Sequence, residues 1–309
     1  MIASGNSESL PLVSIGIPVR NGAEGLENAL KDILSQSYAN IEIIISNNAS
    51  TDGTDLICKA YADRDNRIQY FSQNHPITAT ENFKFVLLKG KGEYFFWAAH
   101  DDRRTENWIE VLIDKLIDNK EAVLAFSDYA EFNSSRPIGG KVNEQYPTFS
   151  GRKSNSIFEI FRGRAHVIHT YALMRAEAIR TYPFDEIDYF GDVALVTYMA
   201  VLGDFLYVKG ACFFYYCPIL PKTSHEHAMS ASYKQLKRFP RTRIALYTCN
   251  MIVEARLRMR VAPRRFFALC QLLWIFYKEP IYSITPGLIK TGWKKWLGLS
   301  RRKRLGNTP

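Results

Sequence analysis

The sequence predicts an α/β protein with a mostly parallel sheet that is covered by helices on both faces. Short apolar segments alternate with amphipathic segments from residue 12 to residue 127, an alternation typical of strand-helix-strand units. The apolar run that starts at Tyr94 ends in the acidic pair Asp101-Asp102. Because open α/β sheets keep their ligands at the carboxyl ends of the strands, this pair predicts a ligand crevice beside it.

Apolar runs bounded by turn residues mark the predicted strands, and a 3.6-residue apolar period marks the predicted helices. We expect strands at residues 12–19, 41–46, 68–71, 94–99, 123–127, 171–175 and 206–209. We expect helices at residues 25–37, from 54 onwards, and at 79–88, 107–119 and 192–202. Residues 133–156 are rich in Ser, Gly, Pro and Asn, so we expect a long loop near the crevice there.

The composition is that of a folded globular protein. Of the 309 residues, 47% are hydrophobic and 23% are charged, enough for one large core or one core with an attached subdomain. No run approaches the roughly 18 to 20 apolar residues that span a bilayer, and the polar start lacks the layout of a signal peptide. The five cysteines form no CxxC pair, which favours reduced thiols and a cytoplasmic location.

The positive charge is concentrated towards the C-terminal end. Residues 233–309 hold 18 Lys and Arg but two Glu, a balance of +16, whereas residues 1–232 have a balance of −7. Aromatic side chains accompany the basic ones at residues 264–299, so we expect helices lying on an anionic membrane surface. The alternative is packing on the rest of the chain or on a second copy in a homodimer. Nucleic acid is not expected, because no RNA-binding signature occurs.

These observations divide the chain into three parts. We expect residues 1–10 to be disordered and residues 11–232 to form one α/β domain, in which the strand-helix alternation is regular at about 11–130 and looser at about 131–232. We expect residues 233–309 to form a basic, aromatic-rich helical extension. The acidic pair falls within the α/β domain.

The acidic pair Asp101-Asp102 is the first candidate site. Two carboxylates at the end of a strand, with no basic residue inside the apolar run, can hold a hard divalent cation through oxygen. The alternative is that one of the two carboxylates caps a helix that starts near Thr105.

Four sequence blocks resemble the inverting family 2 glycosyltransferases of GT-A fold. The blocks are Val13–Asn21, Asn47–Thr54, Gly92–Asp102 and Phe190–Asp192. The resemblance covers about residues 11–232 and depends on the order and spacing of the blocks. It implies the transfer of a sugar from a nucleotide diphosphate sugar to the hydroxyl of an acceptor. It also implies a nucleotide-binding half at about residues 11–130 and an acceptor half at about residues 131–232.

The resemblance implies a donor site in the loops that follow the first two strands. Where the family usually has one acid and often a second, this chain has Asn47 and Asn48, whose amides leave polar contacts to a uracil or thymine edge. The expected nucleotide of the donor is UDP or dTDP. The alternative for the second loop is a tight turn and helix cap, to which Ser50, Thr51 and Asp52 are suited. The implied donor-binding residues are Pro18, Arg20, Asn21, Asn47, Asn48, Asp52 and, towards the ribose, Asp101.

The triplet His100-Asp101-Asp102 stands at the position of the family's Asp-x-Asp element. The resemblance implies that Asp102 contacts Mn²⁺ or Mg²⁺, which bridges both phosphates of the donor. His100 is a weaker metal candidate than Asp102. It would be compatible with Mn²⁺, because imidazole suits Mn²⁺ better than Mg²⁺. The family's late His-x-x-Ser element matches the segment starting at His227, which makes His227 a metal candidate and its neighbour His225 a weaker one. Structural or surface roles are the alternative for all three histidines.

Asp192 is the candidate catalytic base. It follows Gly191 at the start of a predicted helix, where a carboxylate is favoured and exposed to the crevice. The resemblance implies that this acid removes the proton of the acceptor hydroxyl as the hydroxyl attacks the anomeric carbon opposite the diphosphate, so that the configuration inverts in one step. A plain helix cap is the alternative.

The leading hypothesis is a metal-dependent inverting glycosyltransferase of cell-surface polysaccharide or glycolipid synthesis. The expected acceptor is a saccharide or lipid-linked saccharide at the inner face of the plasma membrane. A sugar-phosphate nucleotidyltransferase is less favoured because the turn after the first strand has a single Gly, Gly22. An NAD-dependent oxidoreductase is disfavoured because no GxGxxG follows that strand. A degenerate protein that binds nucleotide or membrane without turnover stays open, given Asn47 and His100.

Overall fold

The computed structural model describes residues 10–133, 138, 167–184 and 191–217. Within these residues the chain forms an alternation of strands and helices. The strands are β1 Val13–Val19, β2 Ile41–Asn47, β3 Ile68–Ser72, β4 Tyr94–Trp97, β5 Arg103–Arg104, β6 Ala122–Phe132, β7 Leu173–Arg175 and β8 Asp204–Tyr216. The helices are α1 Ala23–Leu34, α2 Thr54–Ala62, α3 Ala79–Lys89, α4 Trp108–Asp118, α5 Ala176–Ile179 and α6 Gly191–Leu202.

The eight strands form one sheet in the order β3-β2-β1-β4-β7-β6-β8-β5. Strands β1 to β4 pair in parallel, and so do β6 and β8. Strand β7 lies antiparallel between β4 and β6, and the short β5 lies antiparallel on β8. The prediction of an α/β protein with a mostly parallel sheet is confirmed.

Two hydrophobic clusters cover the two faces of the sheet. In β4, Phe95 and Trp97 belong to one cluster, whereas Tyr94 and Phe96 belong to the other. This division follows from the two-residue period of a strand, which points successive side chains to opposite faces. All four side chains are buried, so helices or loops cover the sheet on both sides.

Helix boundaries follow local sequence signals. Helix α3 starts with a capping box in which the Thr78 hydroxyl accepts from the Glu81 amide and the Glu81 carboxylate accepts from the Thr78 amide. Helix α1 buries an apolar stripe formed by Leu26, Ala29, Leu30 and Ile33. The 3.6-residue period of the sequence predicts this stripe together with Leu34, which is half-buried against the same cluster.

The sheet extends further than the sequence predicts. Strand β6 continues to Phe132 and β8 continues to Tyr216. Their pairing shifts register where residues 209–211 bulge out, and Gly210 takes a φ of +97° there. A positive φ costs glycine little, so the bulge falls at that position. Strand β5 has two residues, too few for a hydrophobic pattern to reveal it.

Several predictions lie outside the described residues. These concern all but the last residue of the segment 1–10 that we expect to be disordered, most of the loop 133–156 and the basic extension 233–309. The division into domains stays a prediction. Among the helices in the part of the chain that the structure describes, none is long and apolar enough to cross a membrane.

Candidate functional site

Three loops meet at the carboxyl edge of β1, β2 and β4. These strands are neighbours and run in parallel, so their ends are brought together by the sheet itself. The first loop is residues 20–22, the second residues 48–53 and the third residues 98–102. All three follow apolar strands, as the sequence predicts for a ligand crevice.

Asn21 joins the first loop to the second. Its backbone N–H donates to Oγ of Ser50 at 2.9 Å, and its side-chain Oδ1 accepts from the backbone N–H of Thr51 at 2.8 Å. Asn21 takes a φ of +52°, a conformation that Asn tolerates better than most residues. The Asn21 side chain, which is predicted to bind the nucleotide sugar, therefore also links the first loop to the second.

The third loop packs closely against the start of α1. A Cβ atom on Gly22 would lie 2.7 Å from Cδ2 of His100, and one on Gly25 would lie 2.7 Å from the carbonyl oxygen of His100. Only glycine leaves room for these approaches without a shift of the loop. The position of the acidic pair thus depends on two glycines that lie about 80 residues earlier in the chain.

Asp52 links the starts of two helices. Its Oδ2 accepts from the amide of Ala23 in α1 at 3.1 Å, and its Oδ1 accepts from the amide of Thr54 in α2 at 3.0 Å. The hydrogen bond from the Thr54 hydroxyl is the largest of the effects that lower the pKa of Asp52. The helix-capping alternative for this residue is therefore realised, and the predicted donor contact would be an additional role.

Asn47 and Asn48 are buried by loop contacts. Nδ2 of Asn47 donates to the Tyr70 hydroxyl at 2.9 Å, and Oδ1 of Asn47 accepts from the Ser50 amide at 3.1 Å. The Asn48 side chain both donates to and accepts from the backbone of Ile77, at 2.8 Å each. Asn48 thus fastens the segment before α3 to the second loop, while each amide keeps one further donor and acceptor.

Asp102 is the most deeply buried carboxyl group at this edge. It is 1% exposed, and its Oδ1 accepts from the amide of Tyr216 at 2.9 Å. Its Oδ2 has no hydrogen-bond partner in the described part of the chain. Burial raises the pKa of Asp102 to about 7, although the Tyr216 hydrogen bond and the charge of Arg104 oppose this rise.

Arg104 supplies a buried positive charge behind Asp102. Its guanidinium carbon lies 4.8–5.0 Å from the ring centres of Phe96, Trp108 and Phe213. Burial lowers the pKa of Arg104 to about 10, and the charge of Asp102 opposes that change. The guanidinium is still protonated at neutral pH, so it favours the ionised form of the carboxylate.

The acidic pair fits a divalent cation that is also held by a substrate. Asp101 is half-buried and therefore more accessible than Asp102. No group of three His, Cys, Asp or Glu side chains within the described ranges could hold a metal ion. A cation with one or two protein carboxylates commonly takes its other ligands from phosphate and water. The unpartnered Oδ2 of Asp102 is the atom that such a cation would satisfy.

The remaining predicted residues are placed less completely. Pro18 is half-buried at the end of β1, and Arg20 is exposed in the first loop. Asp192 is the second residue of α6, as predicted, but its side chain lies outside the description. His225 and His227 also lie outside the described residues.

No pattern in the sequence points to three residues that interact with Asp102. Arg104, Tyr171 and Tyr216 come from β5, the loop before β7 and the end of β8. Burial and then the charge of Asp102 raise the pKa of Tyr171. The aromatic content of residues 211–216 hints at a buried strand, but no local pattern pairs that strand with the acidic loop.

A cavity of about 500 Å³ lies beside β5. Its walls include Asp32 and Ser35 from the end of α1, whereas the loops meet at the start of α1. Asp32 forms an ion pair with Arg103 there, Oδ1 to Nη2 at 2.6 Å. This cavity contains none of the predicted donor-binding or metal-binding residues.

Known proteins with similar sequences are glycosyltransferases by name. An uncharacterized glycosyltransferase of Rickettsia typhi is 42% identical over 117 residues, which are 37% of this chain and 35% of that protein. The matched part of this chain thus spans about a third of the length of that relative.

Solved structures of similar fold include enzymes bound to nucleotide sugars. S. aureus TarS in complex with UDP-GlcNAc superposes with a TM-score of 0.58 and 13% identity, over 87% of this chain and 72% of that one. The mannosyltransferase PcManGT from Pyrobaculum calidifontis, in complex with GDP-Man and Mn²⁺, superposes with a TM-score of 0.53 and 14% identity, over 94% and 80%. At these identities the likeness is one of fold, and it confirms the predicted GT-A fold.

The family model of glycosyl transferase family 2 matches residues 14–182. This range begins at the second residue of β1 and extends past β7, so it includes the three loops and the acidic pair. It covers more than half of the chain, and the relatives agree with it. The chain therefore belongs to glycosyl transferase family 2.

Proposed function

We propose that the chain is a metal-dependent inverting glycosyltransferase that uses a UDP-sugar or dTDP-sugar as its donor. The observation that carries this proposal is the unpartnered, buried Oδ2 of Asp102 at the carboxyl edge of the sheet. It lies on the loop that packs against the first loop, which is itself bound to the second. A cation and a nucleotide diphosphate would thus share one crevice.

The loops provide the groups that a nucleotide diphosphate needs. Arg20 is exposed next to the crevice and can approach a phosphate, while the half-buried Asp101 can accept from a ribose hydroxyl. Asn47 offers a neutral amide to the base. Mn²⁺ or Mg²⁺, when bound, would offset the negative charge that grows on the departing diphosphate. Asp102 and His227 would hold that ion, and His225 and His100 are weaker candidates.

Asp192 is proposed as the base. Asp192 is the second residue of α6, and the start of a helix favours a negative charge. It would take the proton from the acceptor hydroxyl while that oxygen forms a bond to the anomeric carbon. The bond from the anomeric carbon to the diphosphate breaks on the opposite face, which inverts the configuration.

We further propose a role in cell-surface polysaccharide or glycolipid synthesis. The support is the composition of residues 233–309, whose balance of +16 and aromatic side chains suit an anionic membrane surface. A saccharide or lipid-linked saccharide would then be the acceptor at the cytoplasmic face. Association of two copies through this extension is the competing use of the same residues.

Thermal unfolding with nucleotides tests the donor site. UDP, dTDP, GDP and CDP are each added with and without Mn²⁺ to the wild type and to Asp102→Ala. A ligand at about 100 times its dissociation constant adds about 2.7 kcal/mol, which is easily seen as a rise in melting temperature. We expect a rise with UDP or dTDP that needs both Mn²⁺ and Asp102. No rise with any diphosphate would count against the proposal.

Product analysis separates an active enzyme from a degenerate binding protein. Asp192→Asn should abolish sugar transfer while the nucleotide-induced rise in melting temperature is kept. The wild type could bind UDP or dTDP but neither hydrolyse the corresponding nucleotide sugar nor transfer its sugar to any saccharide acceptor. That result would favour the hypothesis of a degenerate protein that binds nucleotide without turnover.

A further inference from the structure

Behind the second loop, three side chains form a continuous hydrogen-bonded chain. Nδ2 of Asn47 lies 2.9 Å from the Tyr70 hydroxyl, which lies 2.5 Å from Oδ1 of Asp55. The other carboxylate oxygen of Asp55 forms an ion pair with Lys59 at 2.7 Å. Tyr70 is in β3 and Asp55 in the first turn of α2, so the chain joins two elements to the end of β2.

Asp55 determines which atom donates in each hydrogen bond among these three side chains. Hydrogen bonds from Lys59 and then Tyr70 lower the pKa of Asp55, so the carboxylate is ionised and can only accept. Burial and the contact with Asp55 raise the pKa of Tyr70, so its hydroxyl keeps its proton. The hydroxyl therefore donates to Asp55, and its oxygen accepts from the neighbouring amide.

This direction fixes which end of the Asn47 amide faces Tyr70. Only the Nδ2 end can donate to an oxygen whose own proton is already used. The Oδ1 end then faces the Ser50 amide, a donor, at 3.1 Å. Two independent contacts thus agree on one orientation of the amide, and the side chain is 2% exposed, which leaves little room to turn.

A fixed amide can tell nucleobases apart, whereas an amide that turns freely cannot. Asn47 keeps one N–H and one oxygen lone pair, presented in a single order. The edge of uracil presents a donor at N3 and an acceptor at O4, and the edge of cytosine presents an acceptor and a donor at the corresponding atoms. One order suits one of these edges, and the reversed order suits the other.

We propose that Tyr70, oriented by Asp55, is a positioning residue that holds the Asn47 amide in one orientation and thereby makes the donor site distinguish uracil from cytosine, with the preference for uracil taken from the proposed donor. This inference rests on the proposed function, because it needs a nucleotide base at the second loop. It assigns a role to two residues that carry no donor contact of their own. Their effect on binding acts through the amide alone.

Binding of UDP and CDP to four forms of the full-length protein tests this role. Dissociation constants are measured with Mn²⁺ for the wild type, Tyr70→Phe, Asp55→Asn and Tyr61→Phe. Tyr70→Phe removes the acceptor of the amide, and Asp55→Asn lets the Tyr70 proton turn towards Oδ1 of Asn47. Tyr61→Phe removes a hydroxyl from α2 outside the hydrogen-bonded chain and serves as the control.

We expect the ratio of the CDP to the UDP dissociation constant to fall by roughly 2- to 10-fold in Tyr70→Phe and Asp55→Asn, the effect of one hydrogen bond. Tyr61→Phe should keep the wild-type ratio. The Ser50 amide still holds Oδ1, so the preference should weaken and not reverse. Melting temperatures without nucleotide verify that each variant is folded.

Each other result has a separate meaning. A wild type that binds neither UDP nor CDP, nor any other diphosphate, overturns the proposed function and this inference together. A wild type that binds both equally overturns the inference alone. An unchanged ratio in both variants also overturns it, including the case where both nucleotides bind more weakly by the same factor, since that result indicates a purely structural role.

Discussion

Replacing Asp102 with Asn is expected to make the stability of the metal-free protein less dependent on pH. Burial raises the pKa of Asp102 from 3.8 to about 7 in the folded protein. Between these two values the folded state binds a proton that the unfolded state has released. The free energy of unfolding therefore falls as pH rises through this window, and the contribution of the protonated group is lost above about pH 7.

The size of this effect follows from the two pKa values. With 3.8 for the unfolded state and about 7 for the folded state, Asp102 stabilises the fold at pH 5 by about 2.5 kcal/mol more than at pH 8. Asn cannot ionise, and its Oδ1 can still accept from the amide of Tyr216. The difference in unfolding free energy, variant minus wild type, should rise by about this amount from pH 5 to pH 8.

Urea unfolding in EDTA at pH 5, 6, 7 and 8 measures this difference. Asp114→Asn, which removes an exposed carboxyl group from α4, is the matched control and should give a flat difference across the series. A flat difference for Asp102→Asn as well, within about 0.5 kcal/mol, would refute the reasoning, because it would mean that the folded state does not protonate this carboxyl group. With Mn²⁺ added at pH 8, the wild type should regain stability and the variant should not.

Two further substitutions, at Gly25 and Asp52, test the structure around the site, and one at Glu42 tests the opposite edge of the sheet. Gly25→Ala places a Cβ 2.7 Å from the carbonyl oxygen of His100, so nucleotide binding measured by calorimetry should weaken while the protein stays folded. Glu42→Ala removes a buried carboxylate that accepts from the Ser14 hydroxyl at 2.6 Å, and urea unfolding should show a loss of roughly 2–4 kcal/mol, with a smaller loss in Glu42→Gln. Asp52→Ala removes a cap shared by two helices and should cost about 1 kcal/mol in the same assay, whereas Asp52→Asn should cost less.

Much of the fold follows from local sequence patterns. The apolar runs of β1, β2 and β4 and the stripe of α1 are strong because each element buries a whole face, and a buried face must be apolar. The position of the acidic pair after β4 follows in the same way, since the pattern shows where the strand ends. Because the three strands pair in parallel, their carboxyl ends and the loops that follow lie at one edge of the sheet. No contact between the loops themselves is needed to predict this.

The state of each site residue depends on contacts between distant parts of the chain. Asp102 and the amide of Tyr216 are 114 residues apart, and the two residues of β5 that place Arg104 beside them are too few to form a pattern. The sequence predicts a site at Asp101-Asp102 as a unit. It could not tell that Asp102 is buried while Asp101 is half-exposed, because adjacent residues differ in burial only through what packs against them.

The same division holds for the second loop. The residue types of Asn47–Thr54 were sufficient to predict both a donor loop and a helix cap, because amide and carboxylate groups suit either role. Which role each side chain plays was decided by its partners: Asp52 caps two helices, Asn48 binds the backbone of Ile77, and Asn47 faces Tyr70. The sequence determined the chemical groups available at the crevice, and the tertiary structure determined their orientation and burial, because both are properties of contacts between elements and not of any one segment.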